Sequence, residues 1–119
     1  MVRILVIDDE DIVRVCCKRT LELEGYEVHI AKSGSEGFEF LKKGTYDLLL
    51  IDLKMPGMDG LEMLHTIKMI RPEQNVMIMS GYDTIENVVE ALSSGAAHYL
   101  EKPFTPEMLI NRIKEVLES

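Results

Sequence analysis

Residues 4–10 read ILVIDDE, an apolar run that leads directly into three consecutive carboxylates. Near-continuous apolar runs are typical of parallel strands that are covered on both faces. Adjacent carboxylates repel one another, and removing them from water adds a further cost. The stretch therefore predicts either carboxylates that face water or a cation that offsets their charge.

Similar apolar runs recur along the chain, and helical patterns separate them. We predict strands at 2–8, 26–30, 47–52, 75–80 and 97–101, and helices at 11–24, 35–43, 61–70, 85–94 and from 105 onward. Right-handed crossovers then place helices on both faces of a parallel sheet. The second and fifth strands mix polar and apolar residues, as edge strands do, so the simplest strand order is 2-1-3-4-5, an order known from flavodoxin-like proteins. The predicted fold is a flavodoxin-like (βα)5 doubly wound α/β sheet, as one domain over residues 1–119.

Three local patterns carry specific expectations. Ser35 is predicted to cap the second helix. Cys16 and Cys17 are interpreted as small packing residues of the first helix, not as a disulfide. The apolar residues of the fourth helix follow the spacing i, i+3, i+4, i+7: Ile85, Val88, Val89 and Leu92. We expect this face to pack against the core.

Composition excludes several classes of function. A net charge of −8 argues against direct contact of this segment with nucleic acid. No apolar run approaches the ~20 residues that a membrane span needs, and the N-terminus lacks a secretion signal pattern, so we expect a cytoplasmic protein without a membrane partner. The three histidines are scattered without ligand spacing, which makes a zinc site improbable.

Polar residues of a few types stand at the predicted carboxyl ends of the strands. They are Asp8 and Asp9, Asp52, Ser80 and Lys102. Because ligands of open α/β sheets bind outside these strand ends, where the strand order switches, we expect the side chains to converge on one crevice. Their convergence is the strongest functional signal in the sequence.

The residue types suit one kind of chemistry. Mg²⁺ prefers about six oxygen ligands and would cancel the repulsion among the carboxylates. A lysine and a hydroxyl would contact an anion that the metal also touches, as phosphoryl transfer requires. The carboxylate of Asp52 is then the candidate nucleophile, which would form an acyl phosphate.

At these positions the chain resembles a receiver domain of bacterial two-component response regulators. The matching stretches are VIDDE (6–10), DLKMPGMDG (52–60), SGY (80–82) and YLEKPF (99–104). The segment from Ser80 to Phe104 is similar to receivers of nitrogen-regulation-type activators. The resemblance covers nearly the whole chain.

The resemblance implies a role for each matched acidic residue. Asp52 would accept a phosphoryl group from a histidine of a partner kinase. Asp9, Asp52 and the backbone carbonyl of Lys54 would hold Mg²⁺, with Asp8 helping directly or through water. Glu10 is interpreted only as the start of the first helix.

The resemblance also implies phosphate contacts and a switch. Ser80 and Lys102 would contact phosphoryl oxygens, together with the backbone of Gly81, Lys54 and Met55. Ser80 and the aromatic residue Tyr99 would move inward on activation. The Lys102–Pro103 peptide bond is expected to be cis, and Lys54 and Tyr82 either tune the lifetime of the phosphate or are exposed loop residues.

The implied partners are a sensor histidine kinase or phosphotransfer protein, and an output domain or effector that regulates transcription. Phosphorylation would shift the face formed by helix 85–94 and strand 97–101 and promote formation of a homodimer. The domain would catalyse only its own phosphotransfer and autodephosphorylation. It is expected to be either a stand-alone receiver or the N-terminal part of a longer regulator.

Two other classes of protein remain open at this point. A Mg²⁺-dependent phosphatase with an aspartyl nucleophile typically needs a D-x-D motif, but Asp52 is followed by Leu53 and Lys54. A flavodoxin-type FMN binder needs a phosphate loop rich in Ser, Thr and Gly after the first strand. That position holds DDEDI (8–12), which would repel phosphate in the absence of a metal.

Overall fold

The structure is a computed structural model of the chain that describes residues 1–81 and 85–119. Its strands are β1 (Arg3–Ile7), β2 (Glu27–Ala31), β3 (Leu48–Asp52), β4 (Val76–Ser80) and β5 (His98–Glu101). Its helices are α1 (Asp11–Leu23), α2 (Gly34–Lys43), α3 (Gly60–Ile70), α4 (Ile85–Ser93) and α5 (Pro106–Glu118). The predicted boundaries agree with these to within one residue. Tyr82, for which a role was predicted, lies outside the described residues.

All neighbouring strands pair in parallel, in the order β2-β1-β3-β4-β5. The predicted fold class and strand order are confirmed. Strands β3 and β4 are buried along their whole length, as their continuous apolar sequences require. The order switches at β1 and β3, so the crevice between their carboxyl ends is where the fold can accept a ligand.

The sheet separates two hydrophobic layers, and alternate residues of each strand enter opposite layers. In β1, Leu5 and Ile7 face the layer under α2, α3 and α4. Ile4 and Val6 face the layer under α1 and α5, where Cys17 is fully buried. Because both faces of the sheet are packed, the strands and their carboxyl ends are held in fixed positions relative to one another.

The predicted cap of α2 is wrong by two residues. Ser33, not Ser35, is the N-cap residue, with extended backbone angles of φ −155° and ψ 165°. Its hydroxyl oxygen accepts from the Glu36 amide at 3.1 Å. Ser35 lies within the first helical turn, where its backbone is already helical and cannot take the capping conformation.

Two predictions about packing are also wrong. Cys16 is exposed, and only Cys17 of the pair is buried. On α4, Ile85, Val89 and Leu92 are exposed, with fractions of 82%, 53% and 38%. The helix contacts α3 and β5 at the edge of the sheet, so it covers the core with Val88 and the small Ala91 instead.

The loop after β3 is packed closely against the start of α3. The Gly60 amide donates to the Leu53 carbonyl at 2.9 Å. A Cβ atom at Gly60 would overlap the backbone carbonyl of Asp52. Glycine is therefore required here for a close backbone approach, and that approach holds Asp52 in position. Among the described residues, no helix has the length and apolar character to cross a membrane.

Candidate functional site

Ionisable and polar side chains are buried at the carboxyl edge of the sheet. Asp8 follows β1 and has no exposed surface, whereas Asp52 and Ser80 end β3 and β4 with exposed fractions of 4% and 5%. Charged groups are rarely buried unless they are paired. The fold therefore has to supply a partner at this edge.

That partner is Lys102, which follows β5. Its Nζ lies 2.8 Å from Asp8 Oδ2, 3.1 Å from Glu10 Oε1 and 3.4 Å from Asp52 Oδ2. The Lys102 backbone amide donates to the Ser80 carbonyl at 2.7 Å, which directs the side chain toward the crevice. The Lys102–Pro103 peptide bond is cis, as expected.

Backbone and side-chain donors fix the loop after β1. The Asp8 amide donates to the Ala31 carbonyl at 3.1 Å. Arg14 Nη1 donates to the Asp8 carbonyl at 2.6 Å, and a second guanidinium nitrogen of Arg14 donates to Asp11. These contacts tie the first turn of α1 to the strand end, so the orientation of Asp8 is determined by both elements.

The surroundings of Asp52 shift the pKa of its carboxyl group to near neutral pH. Burial raises the pKa of Asp52 to about 7, and the negative charge of Asp8 acts in the same direction. Lys102 and a backbone hydrogen bond from Lys54 oppose this shift. Burial would lower the pKa of Lys102, but its carboxylate partners outweigh that effect and raise it. The lysine therefore stays charged.

A cleft of about 580 Å³ opens beside these groups. Its polar lining includes Asp9, Glu10, Asp52, Lys54, Gly81 and Lys102. Its apolar lining includes Ile12, Val13, Cys16, Pro103 and Phe104. The neighbouring Cys17 is not a nucleophile of this cleft, because burial raises the pKa of its thiol to about 12, and the charge of Asp8 adds to that shift.

Three carboxylates lie close together at this edge, namely those of Asp8, Glu10 and Asp52. One oxygen from each lies within 4.8 Å of the others, a spacing that could hold a metal ion. Asp9, which the resemblance implies as a direct ligand, is exposed and lines the cleft but is not part of this group. The donors are all oxygens, which suits Mg²⁺.

The remaining predicted residues lie at the rim or beyond it. Lys54 is exposed, whereas Met55 is buried and lines a neighbouring hollow with Lys54 and Asn87. Gly81 is half-buried. Tyr99 is 38% exposed on β5, where it pairs with Ile78, so it lies two residues before Glu101, the register partner of Ser80.

Two residues of the site were missed in the sequence. Glu10 was assigned only to the start of α1, although it is the third of three consecutive carboxylates and pairs with Lys102. Its position in that run was the available signal. Arg14 carried no signal, because its contact with the Asp8 carbonyl depends on how α1 leaves the sheet.

The chain matches the family described as response regulator receiver domain over residues 4–114. The chain therefore belongs to this family. As a receiver domain of response regulators, it is a regulatory domain.

Its relatives include whole regulators and isolated receivers. It is 35% identical over 116 residues to the response regulator MprA of Mycobacterium ulcerans, and 36% identical over 114 residues to the transcriptional regulatory protein YkoG of Bacillus subtilis. These matches cover 98% and 96% of this chain but 50% of each relative. The chain thus spans about half the length of the curated relatives it matches.

Solved structures share the whole fold. A CheY-like receiver domain protein of Methanospirillum hungatei superimposes with a TM-score of 0.94 at 38% identity, covering 99% of this chain and 94% of that one. NtrX of Brucella abortus superimposes with a TM-score of 0.94 at 34% identity, covering 99% of this chain and 27% of that one. The receiver fold is thus found both alone and as part of a longer protein.

Proposed function

We propose that this receiver domain is a phosphorylation-dependent signalling switch with Asp52 as the phosphoacceptor. One observation carries the proposal: Asp52 is buried, its pKa is raised to about 7, and it lies at the floor of a cleft beside the Lys102 ammonium. Burial of a carboxylate at a strand end lowers the stability of the fold, and a reactive role for Asp52 would explain why a carboxylate is nevertheless buried there.

The phosphoryl donor would be a histidine of a sensor kinase or phosphotransfer protein. An Asp52 carboxylate oxygen attacks the phosphorus, a P–O bond forms, and the P–N bond to the donor histidine breaks. The electron pair returns to the imidazole, which takes up a proton from solvent. Asp52 reacts in its ionised form, which it can reach near neutral pH.

Lys102 and Ser80 would bind the transferred group. The Lys102 ammonium, now 3.4 Å from Asp52 Oδ2, would neutralise charge on a phosphoryl oxygen. The Ser80 hydroxyl and the backbone N–H groups of Gly81, Lys54 and Met55 would donate hydrogen bonds to the other oxygens. The domain would then catalyse only its own phosphorylation and dephosphorylation.

The site suits Mg²⁺ as a cofactor. Asp9, Asp52, the backbone carbonyl of Lys54 and Asp8 would hold it, Asp8 directly or through water. When bound, the ion would neutralise charge on the phosphoryl oxygens. The grouping of oxygens from Asp8, Glu10 and Asp52 supports a cation at this edge, because a cation would relieve their repulsion.

The readout would lie on the face formed by α4 and β5. Ile85, Val89 and Tyr99 are exposed there, next to the strand end that carries Ser80. Phosphorylation would draw Ser80 and Tyr99 inward and shift this face between two populations. An output domain or effector that regulates transcription would sense the change, and phosphorylated chains would form a homodimer.

Mass spectrometry tests the proposal directly. The chain is incubated with Mg²⁺ and a small phosphodonor such as acetyl phosphate, beside the variant Asp52→Asn. We expect one added phosphoryl group on the wild type and none on the variant. Equal labelling of both chains would overturn the assignment, and repeated turnover of added phosphomonoesters would point instead to a phosphatase.

A further inference from the structure

Glu10 lies where β1 gives way to α1, and a neighbouring carboxylate holds its backbone. It is the N-cap residue of α1, but its side chain does not cap the helix. Its amide donates to Asp8 Oδ1 at 2.8 Å, so the turn is fixed from within the site. The Glu10 carboxylate instead reaches across to Lys102 on the far side of the crevice.

The Glu10 carboxylate shares its ammonium partner with two buried carboxylates. Its Oε1 lies 3.1 Å from Lys102 Nζ, compared with 2.8 Å for Asp8 and 3.4 Å for Asp52. The same three carboxylates form the group that could hold a metal ion. A monovalent cation, the lysine ammonium, therefore occupies contacts that a divalent cation would also use.

We propose that Glu10 is a fourth carboxylate of the cation site, beside Asp8, Asp9 and Asp52, and that it pairs with Lys102 until a divalent cation replaces the ammonium among these oxygens. The inference rests on the proposed function of the cleft and adds a residue to it. A divalent ion repels the ammonium, so its binding requires Lys102 to leave part of this group. Lys102 is then released toward the phosphoryl oxygens.

The exposure of Glu10 suits this role. Its side chain is 60% exposed, whereas the side chains of Asp8 and Asp52 are almost fully buried. An exposed carboxylate can follow either cation without disturbing the core. Asp9 differs, because it lines the cleft without belonging to the group around Lys102.

Calorimetric titration with Mg²⁺, with no phosphodonor present, tests the inference. The chains are the wild type, Glu10→Gln and the matched control Glu101→Gln, which removes the same charge from an exposed residue next to Lys102. We expect Glu10→Gln to weaken Mg²⁺ binding about tenfold. We expect Glu101→Gln to change it less than about twofold, since an exposed charge outside the group is screened.

Each outcome bears on the inference. Unchanged Mg²⁺ affinity in Glu10→Gln would overturn it, and so would equal weakening in both variants, which would indicate an effect of net charge alone. Absence of Mg²⁺ binding by the wild type would overturn it as well. Failure of the proposed function would be seen separately, as wild-type Asp52 that accepts no phosphate. Thermal melts of all three chains establish that each is folded.

Discussion

The cleft and the α4–β5 face depart from the usual distribution of residues in opposite directions. At the cleft, the ionisable residues Asp8 and Asp52 are buried. At the α4–β5 face, the large apolar residues Ile85 and Val89 are exposed. Burial of these carboxylates is tolerated because Lys102 pairs with them. Exposed apolar side chains, by contrast, favour association with other molecules. The first region is thus suited to chemistry and the second to recognition.

The largest loss of stability should come from removing the lysine that pairs with the buried carboxylates. We expect Lys102→Met to lower the free energy of unfolding at pH 8 by about 3 kcal/mol, because Asp8 and Asp52 then lack their shared ammonium partner. Urea unfolding measures the change. Lys114→Met, which removes an exposed lysine paired with Glu24, is the control and should change little. A small loss in Lys102→Met would mean that the cleft carboxylates do not depend on this ammonium.

An effect of opposite sign should follow from removing the charge of Asp52. Because burial raises the pKa of Asp52 from 3.8 to about 7, the folded chain retains a proton that the unfolded chain releases in this range. The wild type therefore loses stability as pH rises from about 4 to about 7, and the loss is then constant.

We expect Asp52→Asn to be more stable than the wild type at pH 8, by up to about 4 kcal/mol for a pKa shift of this size, and to have nearly the same stability as the wild type at pH 3. Urea unfolding across this pH range tests the prediction. Glu73→Gln, which removes a charge from an exposed residue outside the site, is the control. A stability difference that does not vary with pH would contradict the shift assigned to Asp52.

Removing the N-cap of α2 should change stability by an intermediate amount, at a position outside both the cleft and the α4–β5 face. We expect Ser33→Ala to cost about 1 kcal/mol, because the Glu36 amide loses its acceptor. Ser35→Ala is the matched control and should cost less, since Ser35 lies inside the first turn. Thermal unfolding compares the two, and equal losses would contradict the assignment of Ser33 as the cap.

The smallest effect on stability should come from the exposed apolar face. We expect Val89→Ser to change the free energy of unfolding by less than about 0.5 kcal/mol, because Val89 is 53% exposed. The same variant should abolish the earlier elution that beryllofluoride is expected to cause in size-exclusion chromatography of the wild type.

Leu23→Ser on α1 is the control for this experiment, since Leu23 is 87% exposed on a different helix. It should elute as the wild type does, both with and without beryllofluoride. A beryllofluoride-treated wild type that elutes unchanged would count against dimerisation, and an unaffected Val89→Ser variant would place the contact elsewhere.

The fold could be predicted from the sequence because its signals are local and repeated. Apolar runs, helical spacing and turn residues gave each boundary that was predicted to within one residue. The uneven apolar content of the strands identified the two edge strands, because covered strands and edge strands have different compositions, and 2-1-3-4-5 was the simplest order consistent with those edges. The cap of α2 was predicted at the wrong serine because Ser33 and Ser35 are equally good capping residues by type, and only the backbone angles distinguish them.

The candidate site was predicted less completely, since contacts across the sheet depend on side-chain direction. The strand ends identified Asp8, Asp52, Ser80 and Lys102 as neighbours, and the structure brings these four to one edge. It also places Glu10 beside Lys102, a contact between residues 92 positions apart. No local sequence pattern predicts a contact between residues so far apart in the chain.

The sequence by itself determined the parallel sheet and the collection of carboxylates and lysine at its carboxyl edge, because those features follow from periodicity and from which residue ends each strand. Only the tertiary structure decided that, of the three consecutive carboxylates, Asp8 is buried, Asp8 and Glu10 both contact Lys102, and Asp9 lines the cleft apart from them. It also decided that α4 exposes its apolar stripe, since a helix at the edge of the sheet covers the core with one side only. Periodicity fixes which residues share a face, and packing against the neighbouring elements fixes where that face points.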